Sequence, residues 1–198
     1  MMKKSIYIEL NNILRDIVSK TILVYKADNL EKELEEEYTG QDLQEYLGFE
    51  TKEDLIEYMY VECPMRIFGY SNECEEGTSF MINEFYKKYR DEYNLVIFSN
   101  EIEKSKPATL MFLARMGILI DNIEFFPLED FESVNKKADI IITNNLNITK
   151  HKKTKYIKIN KEEYNKDDKS SNYDGNVLCV SSIKDLIEDE YIERNEFA

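Results

Sequence analysis

Tryptophan is absent from this chain, histidine occurs once as His151, and cysteine occurs three times, as Cys63, Cys74 and Cys179. An odd number of cysteines without metal-ligand spacing, beside a single imidazole, argues against a zinc centre or a disulfide framework. Buried free thiols in a reducing compartment are the expectation. Long apolar runs are missing too. The opening MMKKSIYIEL has two lysines but no apolar stretch of signal-peptide length, and nothing approaches the length of a membrane span. The expected location is the cytoplasm, or a larger particle assembled there, with no membrane contact. Positive charge is also in deficit, 26 basic against 40 acidic residues, for a formal net charge of -14. A free-standing nucleic-acid binder carries the opposite balance, because its affinity rests on neutralising phosphates. The one basic stretch, Lys150, Lys152, Lys153 and Lys155, reads as a solvated approach to a strand. The acidic balance suits a soluble protein, or one that docks onto basic partner surfaces.

What the chain does contain is enough for one sizeable core. It has 198 residues, 42% of them hydrophobic, which places it in the globular range. Tyrosine (14) and phenylalanine (10) are abundant and supply either core filling or an aromatic contact surface.

Short apolar runs recur at strand length: 5–10 (SIYIEL), 95–99 (LVIFS), 123–126 (IEFF), 138–143 (ADIIIT), 156–159 (YIKI) and 177–180 (VLCV). Several are apolar on both faces, as in central strands of a parallel sheet covered by helices. Helical patterns alternate with them. The stretch 78–93 opens on Thr78 as N-cap and repeats Met81, Phe85 and Tyr89 at every fourth position. The stretch 107–116 has Pro107 in its first turn, Leu110, Met111, Leu113 and Ala114 on one side, and Gly117 as C-cap. A short closing helix, 182–190, turns Ile183, Leu186 and Ile187 inward. This rhythm predicts a doubly wound, Rossmann-like α/β fold with a parallel sheet of about five to six strands. Residues 16–77 break it with helical text only: a face of Ile17, Val18, Thr21, Val24 and Tyr25, then two amphipathic pieces at 42–47 and 52–60. The expected organisation is an α/β core of 1–15 and 78–198 with a small helical insertion, 16–77, after the first strand. The polar segment 160–176 reads as an exposed loop.

In such a sheet, ligands sit beyond the carboxyl ends of the strands, so the residues leaving each strand matter most. These are Glu9-Leu10-Asn11-Asn12-Ile13-Leu14, then Ser99-Asn100-Glu101 followed by Lys104 and Lys106, and Thr143-Asn144-Asn145. In order and spacing the set resembles the HAD-like (haloacid dehalogenase superfamily) phosphatases. These have Asp-x-Asp-Gly-x-Leu after the first strand, then a cap insertion, a strand ending in Ser or Thr, a lysine, and a strand ending in paired aspartates. IYIELNNIL, VIFSN and IIITNN lie on the first, second and fourth motifs, and Lys104, Lys106 or Lys137 on the third. The insertion resembles the cap of the deoxyribonucleotidase-like branch.

The departures lie in the chemistry. Where the resemblance implies a nucleophilic aspartate and an acid/base aspartate, this chain has Glu9 and Asn11. Glutamate moves the carboxylate out by one methylene, and a displacement of roughly 1 Å can cost on the order of 100-fold in rate. Asparagine neither protonates a leaving group nor deprotonates water. Thr143, Asn144 and Asn145 bring no carboxylate for Mg²⁺, so no metal or other cofactor is expected. Glu9, Asn11, Ser99, Lys106, Thr143 and Asn144 thus read as vestigial, with Ser99, Asn100, Lys106 and Lys137 as candidate anion ligands. A salt bridge from Glu9 to Lys106 or Lys137 is the expected relic. The leading expectation is a catalytically inactive HAD-like protein with a structural or protein-interaction role. The Tyr-rich insertion (Tyr38, Tyr46, Tyr58, Tyr60, Tyr70) is then the candidate contact surface, with packing of these tyrosines in the insertion's own core as the equal alternative. Heavy use of Lys, Asn, Ile, Tyr and Glu, as in AT-rich bacterial and phage genomes, adds a subunit of a large assembly such as a phage virion. The alternatives are a Mg²⁺-dependent phosphatase or 5′-nucleotidase using Glu9, and a phosphate-binding module without catalysis.

Overall fold

A computed structural model describes residues 3–31, 34, 38–144, 153–159, 176–188 and 192. The expectations on Asn145, Lys150, His151, Lys152 and the loop at 160–175 lie outside the described residues.

The sheet is parallel and six-stranded. Its strands are β1 (Lys4–Glu9), β4 (Tyr93–Asn100), β5 (Ile123–Phe126), β6 (Ile140–Thr143), β7 (Lys155–Ile159) and β8 (Val177–Val180). Their order is β5-β4-β1-β6-β7-β8, so the chain starts in the middle, winds outward on one side, then returns to wind outward on the other. This is the α/β, Rossmann-like arrangement expected from the alternating pattern.

Strand alternation sends successive side chains to opposite faces. Ile6 and Ile8 enter one core with Leu95, Ile97, Ile140, Ile142 and Ile157. That core is closed by Ile82 and Phe85 of α4 (Thr78–Tyr89), Phe112 of α5 (Ser105–Arg115) and Leu186 of α7 (Ile183–Glu188). Tyr7, Val96, Phe98, Ile141 and Tyr156 face the other way, against Val134 of α6 (Phe131–Lys137). Both faces are therefore covered, and burying side chains of this size stabilises by about 1.5–3 kcal/mol each. The first core is the larger because three helices share it.

One cap differs from expectation. Thr78 is the first helical residue of α4 and bonds back to the carbonyl of Glu75, while Gly77 takes the cap position with φ +85°. Glu73 satisfies the helix start instead: its carboxylate accepts from the backbone N–H of Gly77 and of Ser79. A carboxylate there also complements the positive end of the helix dipole.

Between β1 and α4 the chain makes two short strands that the sequence pattern did not show, β2 (Arg15–Asp16) and β3 (Asn72–Glu73), which pair antiparallel. Two-residue strands are too short to leave a periodic signal. Among the described residues, the regular elements they enclose are helical. α1 (Ile17–Asp28) is N-capped by Asp16, α2 (Leu43–Leu47) by Asp42, and α3 (Lys52–Glu57) by a reciprocal box of Thr51 and Asp54. Two π-helical turns, Tyr58–Glu62 and Met65–Gly69, follow. These elements have an apolar core of their own, with Val24, Tyr25, Leu47, Leu55, Tyr58, Met59, Ile67 and Phe68. Ala108 of α5 joins it, and Ile102 and Leu128 pack against it from the loops after β4 and β5, so the insertion rests on the carboxyl end of the sheet. Tyr58 and Tyr60 are buried in that core, and of the tyrosines expected to form a contact surface only Tyr70 is about half exposed. Helical periodicity says that one face is buried, not whether against its own fold or a partner.

Candidate functional site

The carboxyl ends of β1, β4 and β6 bring most of the expected residues together, but as two separately wired clusters. Parity decides which residue joins which. Glu9 follows Tyr7 by two and Thr143 follows Ile141 by two, so both leave the sheet on the face of α6. Continuing the β1–β6 register, in which Ile8 lies beside Ile142, places Glu9 beside Thr143. The Thr143 hydroxyl donates to the Glu9 carboxylate at 2.5 Å, and the backbone N–H of Asn144 donates to it as well. Burial dominates over both donors and pushes the Glu9 carboxyl up to about 7.

Ser99 follows Ile97 by two and so leaves on the opposite face, where a second cluster forms around Arg15. Arg15 at 0% and Glu101 at 2% relative exposure pair at 2.8 Å. The Arg15 guanidinium donates to Asn11 Oδ1 twice, from Nη2 at 2.6 Å and Nε at 3.1 Å. It also donates to Thr109 Oγ1 at 2.6 Å and to the carbonyl of Phe68 at 3.3 Å. Its plane lies over the rings of Phe68 and Phe112, 4.9 and 5.4 Å from their centroids. Ser99 donates to Glu101 at 2.9 Å and accepts from Asn11 Nδ2 at 3.3 Å, and Thr109 donates to the same Glu101 oxygen. Burial pulls the Arg15 pKa down, and the Glu101 carboxylate opposes that. The arrangement gives the guanidinium partners in both the insertion (Phe68) and the core (Glu101, Thr109), so it rivets one to the other.

Asn12 occupies the place of the glycine in the motif and has φ +60°, in the left-handed region that favours glycine. Its backbone N–H bonds to the carbonyl of Arg15, closing the turn that carries Arg15 inward.

The lysines lie elsewhere. Lys137 pairs with Glu124 at 2.6 Å, and its carbonyl accepts from Ser5 at the amino end of β1. The expected Lys137–Glu9 bridge is therefore corrected: α6 runs back across the sheet and leaves Lys137 with Glu124. Lys106 is exposed, its ammonium 5.9 Å from the Phe125 ring centroid, and among the described residues no lysine or arginine pairs with Glu9. Lys104 ends the loop before α5 and is exposed. Asn100 donates from its side chain to the carbonyl of Pro127, tying β4 to the loop after β5.

Arg15 belongs to none of the four motifs and was missed, while Glu101 stands among the residues leaving β4 but had no role assigned. The available signal was an arginine directly after the apolar pair Ile13-Leu14, at the start of a segment whose next apolar face begins at Ile17. A charge in such a run has to be paired if buried.

Among the described residues no group of three or more Asp, Glu, His or Cys side chains converges as a metal site would require, and no helix is long and apolar enough to cross a membrane.

No protein-family model matches the sequence, and no curated protein matches it either. Solved structures do. A haloacid dehalogenase-like hydrolase of Burkholderia xenovorans LB400 superposes with a TM-score of 0.57 at 14% identity, over 97% of this chain and 99% of that one. The HAD-hydrolase YfnB of Bacillus subtilis, bound to magnesium, gives 0.55 at 11% identity over 96% and 99%. The L-2-haloacid dehalogenase of Xanthobacter autotrophicus, with chloropropionic acid covalently bound, gives 0.53 at 12% identity over 97% and 99%. The fold is HAD-like across nearly the whole chain, insertion included.

Proposed function

We propose that this chain is a catalytically inactive HAD-like scaffold whose role is to bind protein partners. The observation that carries the reading is the fate of Asn11 and Ser99. At the acid/base position Asn11 offers its carbonyl oxygen to Arg15 and its amide to Ser99, and Ser99 gives its proton to Glu101. Groups that would meet a substrate are spent on one another, inside a cluster built on a fully buried ion pair. Glu9 is the one carboxyl at the end of β1, and its oxygen is taken by the Thr143 hydroxyl and the Asn144 backbone N–H. A phosphate module is weakened in the same way, since the side chains of Ser99 and Asn100 are engaged and only the exposed Lys106, beside Phe125, keeps its donors open.

The interaction role is supported by the acidic charge of -14, which favours a basic partner surface. Membership of a large assembly such as a phage virion is supported by residue usage alone.

The test is turnover. Wild type and Glu9→Gln are assayed with Mg²⁺ on generic and nucleotide monophosphates, and without metal on short 2-haloacids. No activity above background in either protein is expected. Activity in the wild type that vanishes in Glu9→Gln would overturn the reading and make Glu9 a nucleophile.

A further inference from the structure

The chain enters the insertion through β2 and leaves it through β3, and two strands of two residues each make a narrow hinge. What lies beyond the hinge decides whether the insertion can swing. There the second π-helical turn, Met65–Gly69, is pressed against α5. Ile67 and Phe68 of the turn, and Ala108 and Thr109 of α5, are all 0% exposed. The two backbones come close because the residues between them are small: a Cβ added to Gly69 would stand 3.5 Å from the carbonyl oxygen of Ala108. Arg15 lies where turn and helix meet. Its Nη1 donates to the Phe68 carbonyl in the insertion and to Thr109 in the core, its Nη2 to Asn11 and Glu101, and its Nε to Asn11. All five N–H groups of the guanidinium are thus used. Two further contacts flank the seam, Arg115 donating to the carbonyl of Ser71 and Lys52 pairing with Glu129.

We propose that the insertion is a lid fixed shut, whose seam with α5 opens only when the core itself unfolds. The ion pair does not decide this. On opening, water would re-solvate Arg15 and Glu101, which recovers what burying them costs. The apolar side chains decide it, because opening returns Ile67, Phe68 and Ala108 to water. The same movement strips the guanidinium of the Phe68 carbonyl and ring together. Ile102 and Leu128, packed against the insertion from the loops after β4 and β5, add to the apolar surface that opening would expose. The exposed Lys52–Glu129 pair contributes little beside these. A ligand entering between insertion and core is therefore kept from the carboxyl ends of β1 and β4. The inference concerns access rather than chemistry, so it does not rest on the strand-end residues being inactive.

Backbone exchange within the insertion would miss a lid that swings as a rigid body, because its helices stay bonded. The Arg15 side-chain Nε–H would not miss it, since its burial depends on Phe68 being in place. The experiment is hydrogen exchange of the full-length protein followed by nitrogen-15 NMR in water and in low urea. Protection of the Arg15 Nε–H, relative to its rate in an unstructured peptide, is set beside that of the β1 and β4 backbone amides. Arg15→Lys identifies the signal by its loss. Equal protection and an equal urea dependence are expected, as for groups released by one global unfolding event. Protection at Arg15 lower by about tenfold or more, with a weaker urea dependence, shows opening without unfolding and overturns the proposal. Turnover in the activity assay with Arg15 still protected would remove the inactive reading and leave the closed seam standing. Weak protection without turnover removes the closed seam alone.

Discussion

Arg15 and Glu101, 86 residues apart, form an ion pair of 2.8 Å in which neither side chain is exposed to solvent. Breaking such a pair leaves a buried charge without compensation, which costs about 3–5 kcal/mol. Arg15→Met and Glu101→Leu are each expected to lose that much in urea denaturation. The double variant is expected to be more stable than either single one, since well-packed apolar replacements remove both desolvation penalties. Additive losses in the double variant would mean that the two residues do not act as a pair.

Glu9 gives the fold a pH dependence of known sign. Its carboxyl is raised from 4.5 to about 7 in the folded protein, chiefly by burial. Between those values the folded state holds a proton that the unfolded state has released, so stability falls as pH rises from 4.5 through about 7 and then levels off. The full span corresponds to roughly 3 kcal/mol. Glu9→Gln, which has no proton to lose, is expected to flatten this slope and to exceed the wild type in stability above neutral pH. Denaturation of both proteins across that range measures it, and parallel curves would remove Glu9 as the source.

The same two clusters mark where sequence reading reaches its limit. Glu9, Thr143, Asn11 and Ser99 could be located from sequence because each ends a strand, and strand ends are visible as the edge of an apolar run. Their partners could not be. Which face a strand-end side chain takes depends on parity and register across strands distant in sequence, so the split between Glu9 with Thr143 and Ser99 with Glu101 has no local signature. The lysines show the same limit: Lys137 lies in a motif-like context, NKKADIIIT, yet the direction of α6 leaves it with Glu124. The insertion's helices were legible by period, while the burial of Tyr58 and Tyr60 in its own core depends on how π-helical turns fold back on α1.

Asn12 tests the turn that follows β1. Its φ of +60° strains any side-chain-bearing residue, and its Oδ1 is buried without a hydrogen-bond partner. Asn12→Gly keeps the backbone bond to Arg15 and removes the orphaned oxygen, so it is expected to match or exceed the wild type in thermal stability. Asn12→Ala lacks the glycine's freedom and is expected to lose about 1 kcal/mol. Equal melting temperatures for the alanine and glycine variants would show that the turn relaxes at no cost.

Restoring the first motif's aspartates separates a site that lost only those two side chains from one changed elsewhere as well, at the carboxylate-free Thr143 and Asn144 or around Arg15. Glu9→Asp/Asn11→Asp returns both carboxylates to their motif positions. If side-chain identity alone were missing, Mg²⁺-dependent phosphatase turnover would reappear. The geometry argues otherwise. The oxygen of residue 11 faces the Arg15 guanidinium, which grips it through Nε and Nη2, and a carboxylate placed there would share Arg15 with Glu101 rather than turn outward. A general acid has to reach the leaving group in its protonated form, and an ion-paired carboxylate is held deprotonated. Ser99 would still donate to Glu101. The double variant is therefore expected to show no turnover above background while remaining folded. Adding Arg15→Met and Glu101→Leu to it releases residue 11 and Ser99 together, and if any combination regains activity it is this one. Activity already present in the double variant would show that the Arg15 cluster does not hold the site closed.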